Sequence, residues 1–336
     1  MIRSTTDSTI SRSSQIPETE IHHRFITHSI RERFLILLKR IQIKKIKNLS
    51  ANQRKSLLTW LFLAPSLLGV LLFYVAPFFV VIYYSLINNP IQKRFVGFTN
   101  FINVWNNEAF RMAGRNSLIF SFIAVPLAVL LSLFLAAVME SRIPGKSYFR
   151  TFFLSPLMVP TASIVLIWQV LFHYNGLVNN VLMKFGFLKT DWLKSDYAPV
   201  VIVILFLWKN LGYNMILFMA ALSSIPKDLL EVAALEHANK LQVFWYVKLR
   251  YMSSTVLFVT IMSVINSFKV FREVYLMTGD YPYNSLYILQ HFMNNTFASL
   301  DYQKLSAAAI IMFIVVTFLV LIMFRVENFY GKDVEG

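Results

Sequence analysis

The chain has 336 residues, 57% of them hydrophobic and 15% charged, with no cysteine, a net charge of +15 and a mean hydropathy of +0.57. Soluble domains are roughly 45–50% apolar with about a quarter of their residues charged, so this composition excludes an ordinary soluble enzyme and a disordered chain, while the lack of cysteine excludes disulfides and thiolate metal sites. We predict an all-α membrane protein, and the positions of the positive charges must decide between a membrane surface and a nucleic acid as their partner.

The first 55 residues are predicted to form a basic cytoplasmic tail. Residues 30–46 mix aliphatic and aromatic side chains with lysines and arginines. This pattern fits an amphipathic helix that lies on anionic headgroups. It fits equally well a solvated linker that its charge retains on the cytoplasmic side.

Six apolar runs follow, each close to the ~20 residues that a helix needs to cross a bilayer. The runs are 57–87, 117–139, 152–172, 200–222, 253–271 and 307–324. The first run is long, and Pro65 and Pro77 are candidate positions for a break in it. We also predict a short outer helix within 284–297, which has an aromatic and aliphatic face.

The distribution of lysine and arginine predicts that both termini are cytoplasmic. Cations near helix ends resist translocation, and they concentrate in the tail, in the connection after the second run, and in residues 224–250. This arrangement explains most of the net charge without a nucleic acid, so none is expected as a partner. We divide the chain into the tail (1–55), a first helix with its outer connection (56–111), a transmembrane domain (112–325) and a cytoplasmic C-terminal tail (326–336).

No catalytic or metal-binding motif is present in the sequence. The six histidines have no ligand spacing, and the glycine-rich and G-x-S-x-G patterns of nucleotide-binding proteins and hydrolases are absent. We therefore expect neither an enzyme nor a metal or other cofactor in this chain.

The connection 224–250 is predicted to be a cytoplasmic helix–turn–helix. Pro226 ends the preceding helix, and Asp228 followed by Glu231 has the spacing of a capping box that would begin a short helix. Asn239 and Gln242 repeat that spacing for a second helix. A short helix with small residues outside the membrane needs a groove, and in a chain without its own energy source that groove would belong to a partner protein.

These residues resemble the EAA loop of binding-protein-dependent ABC importer permeases, commonly E-A-A-x-x-D-G-A followed by I-x-L-P. The match is to E-V-A-A-L-E-H-A from Glu231 to Ala238 and to V-K-L from Val247 to Leu249, and the preceding S-I-P-K-D-L is typical of the carbohydrate branch. The similarity extends from about residue 57 to the end and is to maltose, glycerol-phosphate and oligosaccharide permeases. The family glycine is replaced by His237, its aspartate by Glu236 and its final proline by Arg250; histidine and the nearby asparagine tolerate the positive φ that the turn requires.

The resemblance implies the six-helix type I ABC importer permease fold in a bacterial cell membrane. It also implies a second, homologous permease, an ABC ATPase dimer that uses Mg-ATP, an extracellular solute-binding protein, and a sugar or oligosaccharide as substrate. The residues expected to contact the ATPase are Asp228, Glu231, Ala233, Ala234, Glu236, His237 and Ala238.

Polar residues inside the fourth and fifth helices are candidates for the substrate pathway, because ionisable groups within a membrane span are costly and often functional. A sugar presents hydroxyls and apolar ring faces, so its site needs amide, charged and aromatic side chains together. The candidates are Asn210, Tyr213, Asn214, Asn266, Lys269, Phe271 and Glu273. An equal alternative is that Lys209, Lys269 and Glu273 form ion pairs between helices or extend their charges to the membrane surface.

Three other functions remain open at this point. A stand-alone secondary transporter would use Lys209, Lys269 and Glu273 as coupling charges, although the inverted repeats and paired broken helices that favour this class are not evident. A membrane scaffold or sensor anchored by the basic tail would leave the capped helix pair unexplained. A membrane enzyme has no candidate nucleophile or metal set.

Overall fold

The computed structural model describes residues 51–140 and 144–331, with side chains from 59 to 140 and from 144 to 327. The predicted amphipathic helix at 30–46 lies outside these residues. The chain divides after Pro77 into two units. Its α-helices, in chain order, are α1 Ala51–Val70, α2 Ala76–Ser85, α3 Thr99–Trp105, α4 Glu108–Glu140, α5 Lys146–Met158, α6 Thr161–Leu171, α7 Leu177–Lys184, α8 Ala198–Ser223, α9 Lys227–Leu235, α10 Lys240–Gln242, α11 Leu249–Tyr251, α12 Ser253–Phe268, α13 Phe271–Thr278, α14 Leu289–Ala298 and α15 Tyr302–Gly331.

The described part of the first unit, residues 51–77, is helical, and most of its large apolar side chains from Trp60 on are exposed. The expected break at Pro65 does not occur, since this residue lies inside α1. Instead, a π-helical turn spans Leu71–Val75, and the backbone N–H of Ala76 donates to the carbonyl of Leu71. Such a turn next to Pro77 accommodates the missing N–H of the proline, which would otherwise leave a carbonyl unpaired in lipid.

Among the described residues, five helical segments are long and apolar enough to cross a membrane, and a bent pair of helices makes six if it is counted as one span. The five are Thr59–Ser85, Glu108–Glu140, Ala198–Ser223, Ser253–Thr278 and Tyr302–Glu327. They match five of the six predicted runs. The all-α membrane architecture predicted from the sequence is therefore confirmed over the described residues.

The third predicted run is not one straight helix. It consists of α5 and α6, whose axes differ by 102°. Val159 between them is extended, with φ −90° and ψ 129°, and Pro160 precedes the first residue of α6. A residue before proline is forced away from helical angles by the proline ring, which explains the break at this point.

The core of the second unit forms around α4 and α8. Ala124, Ala128 and Leu205 are fully or almost fully buried between these helices, and Phe120 meets Phe206 edge to face with ring centroids 5.6 Å apart. Small residues let membrane helices approach closely. At Gly212 the approach is closest, because an added Cβ would lie 1.9 Å from the carbonyl oxygen of Phe153 on α5.

Side-chain amides hold the connections between the membrane helices. Asn116 donates to the carbonyls of Asn284 and Tyr287, at 2.7 and 2.9 Å. Asn179 is fully buried, donates to the carbonyls of Tyr174 and Thr190, and accepts from the indole N–H of Trp192. The predicted outer helix in 284–297 is present as α14, which a short 3-10 turn precedes.

Candidate functional site

The helix α9 begins differently from the capping box that the sequence predicts. Its first residue is Lys227, the cap position is Pro226, and no side chain caps the helix. Asp228 and Glu231 therefore do not form the expected reciprocal hydrogen bonds, because Pro226 occupies the cap position and both acidic residues lie inside the helix. Asp228 instead lies in the first turn, where its charge favourably meets the positive end of the helix dipole.

The turn after α9 is a Schellman motif centred on His237. This residue has φ 55°, in the left-handed region, as its place at the family glycine predicts. The N–H of Ala238 donates to the carbonyl of Ala233, and the N–H of His237 donates to the carbonyl of Ala234. The helix thus ends with two of its carbonyls paired, at the cost of holding a non-glycine residue at positive φ.

The second helix of the connection begins with the predicted capping box. The amide N–H of Gln242 donates to the side chain of Asn239, and the backbone N–H of Asn239 donates to the side chain of Gln242, at 2.9 and 2.8 Å. A π-helical segment, Val243–Lys248, continues this helix. Lys248 then donates to both carboxylate oxygens of Glu140, at 2.6 and 2.7 Å, and so ties the connection to the end of α4.

The exposed surface of α9 carries both apolar and acidic side chains. Leu229, Val232 and Leu235 are 43%, 58% and 79% exposed. Of the predicted contact residues, Asp228, Glu231, Ala234, Glu236 and His237 are exposed, Ala238 is half-buried and Ala233 is buried. We call the exposed residues of α9 and its turn the docking face; Ala233 packs inward and is not part of it.

A cavity of about 440 Å³ lies where α8, α12 and α13 meet. Its walls include five of the seven predicted pathway residues. The lining residues are Leu157, Leu205, Phe206, Lys209, Asn210, Asn266, Lys269, Val270, Phe271, Arg272, Glu273 and Gln290. Lys209 is eleven residues from the start of α8 and fourteen from its end, which places it about 17 and 21 Å from the two ends, near the middle of the span.

An ion pair between Lys209 and Glu273 crosses this cavity wall from α8 to α13. Lys269 and Glu273 both come from the end of the fifth helix, but the carboxylate of Glu273 pairs with Lys209 of α8. The structure thus contains the interhelical contact that the ion-pair alternative describes for these two residues.

Two amides continue the contact between α8 and α12. Asn266 donates to the side-chain oxygen of Asn210 at 3.0 Å, and Asn210 donates to the carbonyl of Phe206 at 2.8 Å. Asn214, which the sequence analysis also proposed, is 1% exposed and donates to the hydroxyl of Ser263 at 3.0 Å. Neither Asn214 nor Tyr213 lines the cavity.

An aromatic cluster lies beside Phe271 in the cavity wall. The ring of Phe271 packs edge to face on His291 at 4.8 Å and lies 5.3 Å from Tyr275. His291 is fully buried, and its Nε2 has no hydrogen-bond partner within the described chain. Burial lowers the pKa of His291 to about 4, although nearby Asp280 opposes this shift, so the imidazole is neutral at pH 7.

Sequence reasoning alone did not bring Arg272 and Gln290 into the candidate site. Arg272 directly follows the fifth predicted run, 253–271, and lines the cavity together with Lys269 and Glu273. Gln290 belongs to α14, which is separated from α12 along the chain, and no sequence pattern places the two together.

Comparison with known proteins identifies the family. A model of the family described as "Binding-protein-dependent transport system inner membrane component" matches residues 128–332. The chain belongs to this family. The permease is 30% identical over 278 residues to the sn-glycerol-3-phosphate transport system permease protein UgpA of Pectobacterium atrosepticum, a match that covers 81% of this chain and 94% of that protein. It is also 29% identical over 273 residues to the lactose transport system permease protein LacF of Rhizobium radiobacter, covering 79% and 91%.

Solved structures confirm the fold of the permease. It matches a chain of a bacterial ABC transporter involved in the import of the acidic polysaccharide alginate with a TM-score of 0.71 at 18% identity, covering 82% of the permease and 97% of that chain. A second structure, of the alginate transporter with its pentasaccharide-bound periplasmic protein, matches with a TM-score of 0.67 at 20% identity, covering 81% and 94%. The permease therefore has the type I ABC importer fold that the sequence resemblance implied.

Proposed function

We propose that the permease is one transmembrane subunit of an ATP-driven importer for a sugar or oligosaccharide. It would form half of the translocation pathway together with a second, homologous permease. An ABC ATPase dimer would bind and hydrolyse Mg-ATP, and an extracellular solute-binding protein would deliver the substrate. Family membership and the names of the glycerol-phosphate and lactose relatives support this proposal.

The docking face on α9 is the observation that carries the coupling part of the proposal. Three apolar side chains and the carboxylates of Glu231 and Glu236 project outward from this short helix. Apolar surface of this kind is stabilised when a partner covers it, and an amphipathic helix laid into a groove is a common way to do so. The ATPase would supply the groove, with basic groups opposite the two glutamates.

Movement of α9 would displace the membrane helices α4 and α8, because α9 is connected closely to both. Only Ser224, Ile225 and Pro226 separate α9 from α8. On its other side, the ion pair between Lys248 and Glu140 ties the connection to α4. Closure of the ATPase dimer would therefore displace α4 and α8 together, and these two helices form the core that supports the cavity.

The proposal places residues 224–250 and both termini in the cytoplasm. The lysines and arginines of the tail and of the connections support this orientation. The cavity at the middle of α8 would then be reached from the outer side or the cytoplasmic side in alternation. Asn210, Asn266 and Gln290 would bind sugar hydroxyls there, and Phe271 would pack on an apolar ring face.

A charge reversal at Glu231 tests the coupling. In the complex purified in mild detergent from its own cells, we expect an ATPase and a second multi-helix subunit to co-purify with the permease. Glu231→Lys should weaken ATPase recovery and reduce ATP-driven uptake at least roughly tenfold, because it sets a like charge against the basic groove and loses the original contact. Glu108→Lys, an exposed reversal at the start of α4, is the matched control and should change neither.

Two results would overturn this proposal. Unchanged assembly and uptake in Glu231→Lys would remove the coupling role from α9. A permease that purifies alone, folded, and transports without ATP would be a secondary transporter instead.

A further inference from the structure

The cavity at α8, α12 and α13 has more positive than negative groups on its walls. Lys209, Lys269 and Arg272 line it together with a single carboxylate, that of Glu273. The ion pair between Lys209 and Glu273 neutralises one charge of each sign. Lys269 and Arg272 remain, and neither makes an ion pair with any residue that the structure describes.

Helix stability does not explain both of these cations. Lys269 follows the last residue of α12, where a positive charge favours the negative end of the helix dipole. Arg272 is the second residue of α13, where the dipole disfavours a positive charge. The helix dipole therefore accounts for the position of Lys269 and not for that of Arg272.

A membrane span is also an expensive place for two unpaired cations. A lysine or arginine within the bilayer costs several kcal/mol unless it pairs or faces water. Lys269 and Arg272 are both exposed to the cavity side and lie within the span Ser253–Thr278. An anion that enters the cavity would offset this cost and form charge-assisted hydrogen bonds, with the guanidinium able to hold a carboxylate or phosphate through two N–H groups.

We propose that the substrate of the permease is an anionic carbohydrate, one that carries a carboxylate or a phosphate. This inference rests on the proposed importer function and narrows its substrate class. The negative group lies between Lys269 and Arg272, while the amides of Asn210, Asn266 and Gln290 bind neutral hydroxyls. The cavity volume of about 440 Å³ is in the usual range for a small-molecule site and accommodates a sugar unit with its charged group.

Uptake by cells that make the complete transporter tests the proposal. Three labelled probes are compared with and without the permease: trigalacturonate for carboxylates, glucose 6-phosphate for phosphates, and neutral maltotriose. We expect permease-dependent uptake of one anionic probe, and the probe that is taken up distinguishes a uronide from a sugar phosphate. Uptake confined to maltotriose, or no permease-dependent uptake of either anionic probe, overturns the proposal.

Two neutral variants then test the residues. Lys269→Gln and Arg272→Gln should each reduce uptake of the anionic probe by roughly ten- to a hundredfold at low concentration, since each removes one charge-assisted bond. Arg272→Lys should recover part of the loss, and Lys194→Gln, an exposed cation away from the cavity, should have no effect. Unchanged uptake in both neutral variants refutes the assignment.

Co-purification separates the possible causes of failure. If Lys269→Gln or Arg272→Gln loses the second permease during purification, the two cations pair with that subunit, and the substrate proposal is wrong while the importer function stands. If the unmodified permease co-purifies with no ATPase, the importer function itself fails.

Discussion

Replacing Gly212 by alanine should destabilise the permease through a backbone collision. The new Cβ would lie 1.9 Å from the carbonyl oxygen of Phe153 and 2.5 Å from its carbonyl carbon, whereas real Cβ atoms essentially never approach closer than 3.0 Å. The α5 helix would have to move away from α8 by at least about 1 Å, and no side-chain rotation can relieve the contact. Overpacking lowers the free energy of unfolding by about 1–3 kcal/mol. We expect a value at the upper end here, because the atoms that the new Cβ meets belong to the backbone.

Alanine also favours helix over glycine by about 1 kcal/mol, which partly offsets that cost. Gly114 in α4 isolates this gain, because a Cβ there meets no atom within 4 Å. We therefore expect Gly212→Ala to lose about 2 kcal/mol and Gly114→Ala to be neutral or stabilised, as measured by thermal unfolding of the purified permease in one detergent. Equal or higher stability for Gly212→Ala would refute the close contact between α5 and α8.

Three further predictions concern the turn, the ion pair and the buried histidine. His237→Gly should raise the free energy of unfolding by about 1 kcal/mol, because glycine accepts φ 55° without strain. The control Ala238→Gly should lower the free energy of unfolding, and thermal unfolding checks both variants. Glu273→Gln should lower the free energy of unfolding by roughly 3–5 kcal/mol, because it leaves Lys209 unpaired. The double substitution Lys209→Met with Glu273→Met should recover most of that stability, and a double-mutant cycle measures the recovery. Since the folded state holds the pKa of His291 near 4, below its ordinary 6.5, the permease should lose up to about 3 kcal/mol of stability as pH falls from 6.5 to 4, and His291→Leu should remove that acid sensitivity in a pH series of unfolding curves.

The membrane helices could be predicted because their length and composition are set by the bilayer. An uncharged apolar run of about 20 residues is typical of a helix that spans a membrane, and five of the six predicted runs correspond to continuous helical segments. The bend at Val159 does not emerge from the hydropathy pattern, even though Pro160 is present in the sequence. A count of apolar residues does not register that a single proline restricts its neighbour, so the pattern predicts one helix where the structure has two.

Polar side chains near the membrane helices also serve to pair backbone groups. Asn116 and Asn179 both donate to backbone carbonyls of neighbouring segments. In membrane proteins such carbonyls must be paired within the protein, so an amide that does so is as constrained as one that binds substrate. Asn214 belongs to the same group, since its partner is Ser263 and not the cavity.

The helix α8 connects the cavity to the docking face through a series of polar contacts. Lys209 pairs with Glu273, Asn210 accepts from Asn266, and Asn214 donates to Ser263, so α8 is fixed to α12 and α13 on one side over about one and a half helical turns. These bonds are directional, whereas the apolar contacts around them allow sliding. A displacement that enters α8 from α9 would therefore move the cavity wall with it over the ~21 Å between Ser223 and Lys209. On the proposed function, the same contacts that shape the substrate site would carry the movement of the ATPase to it.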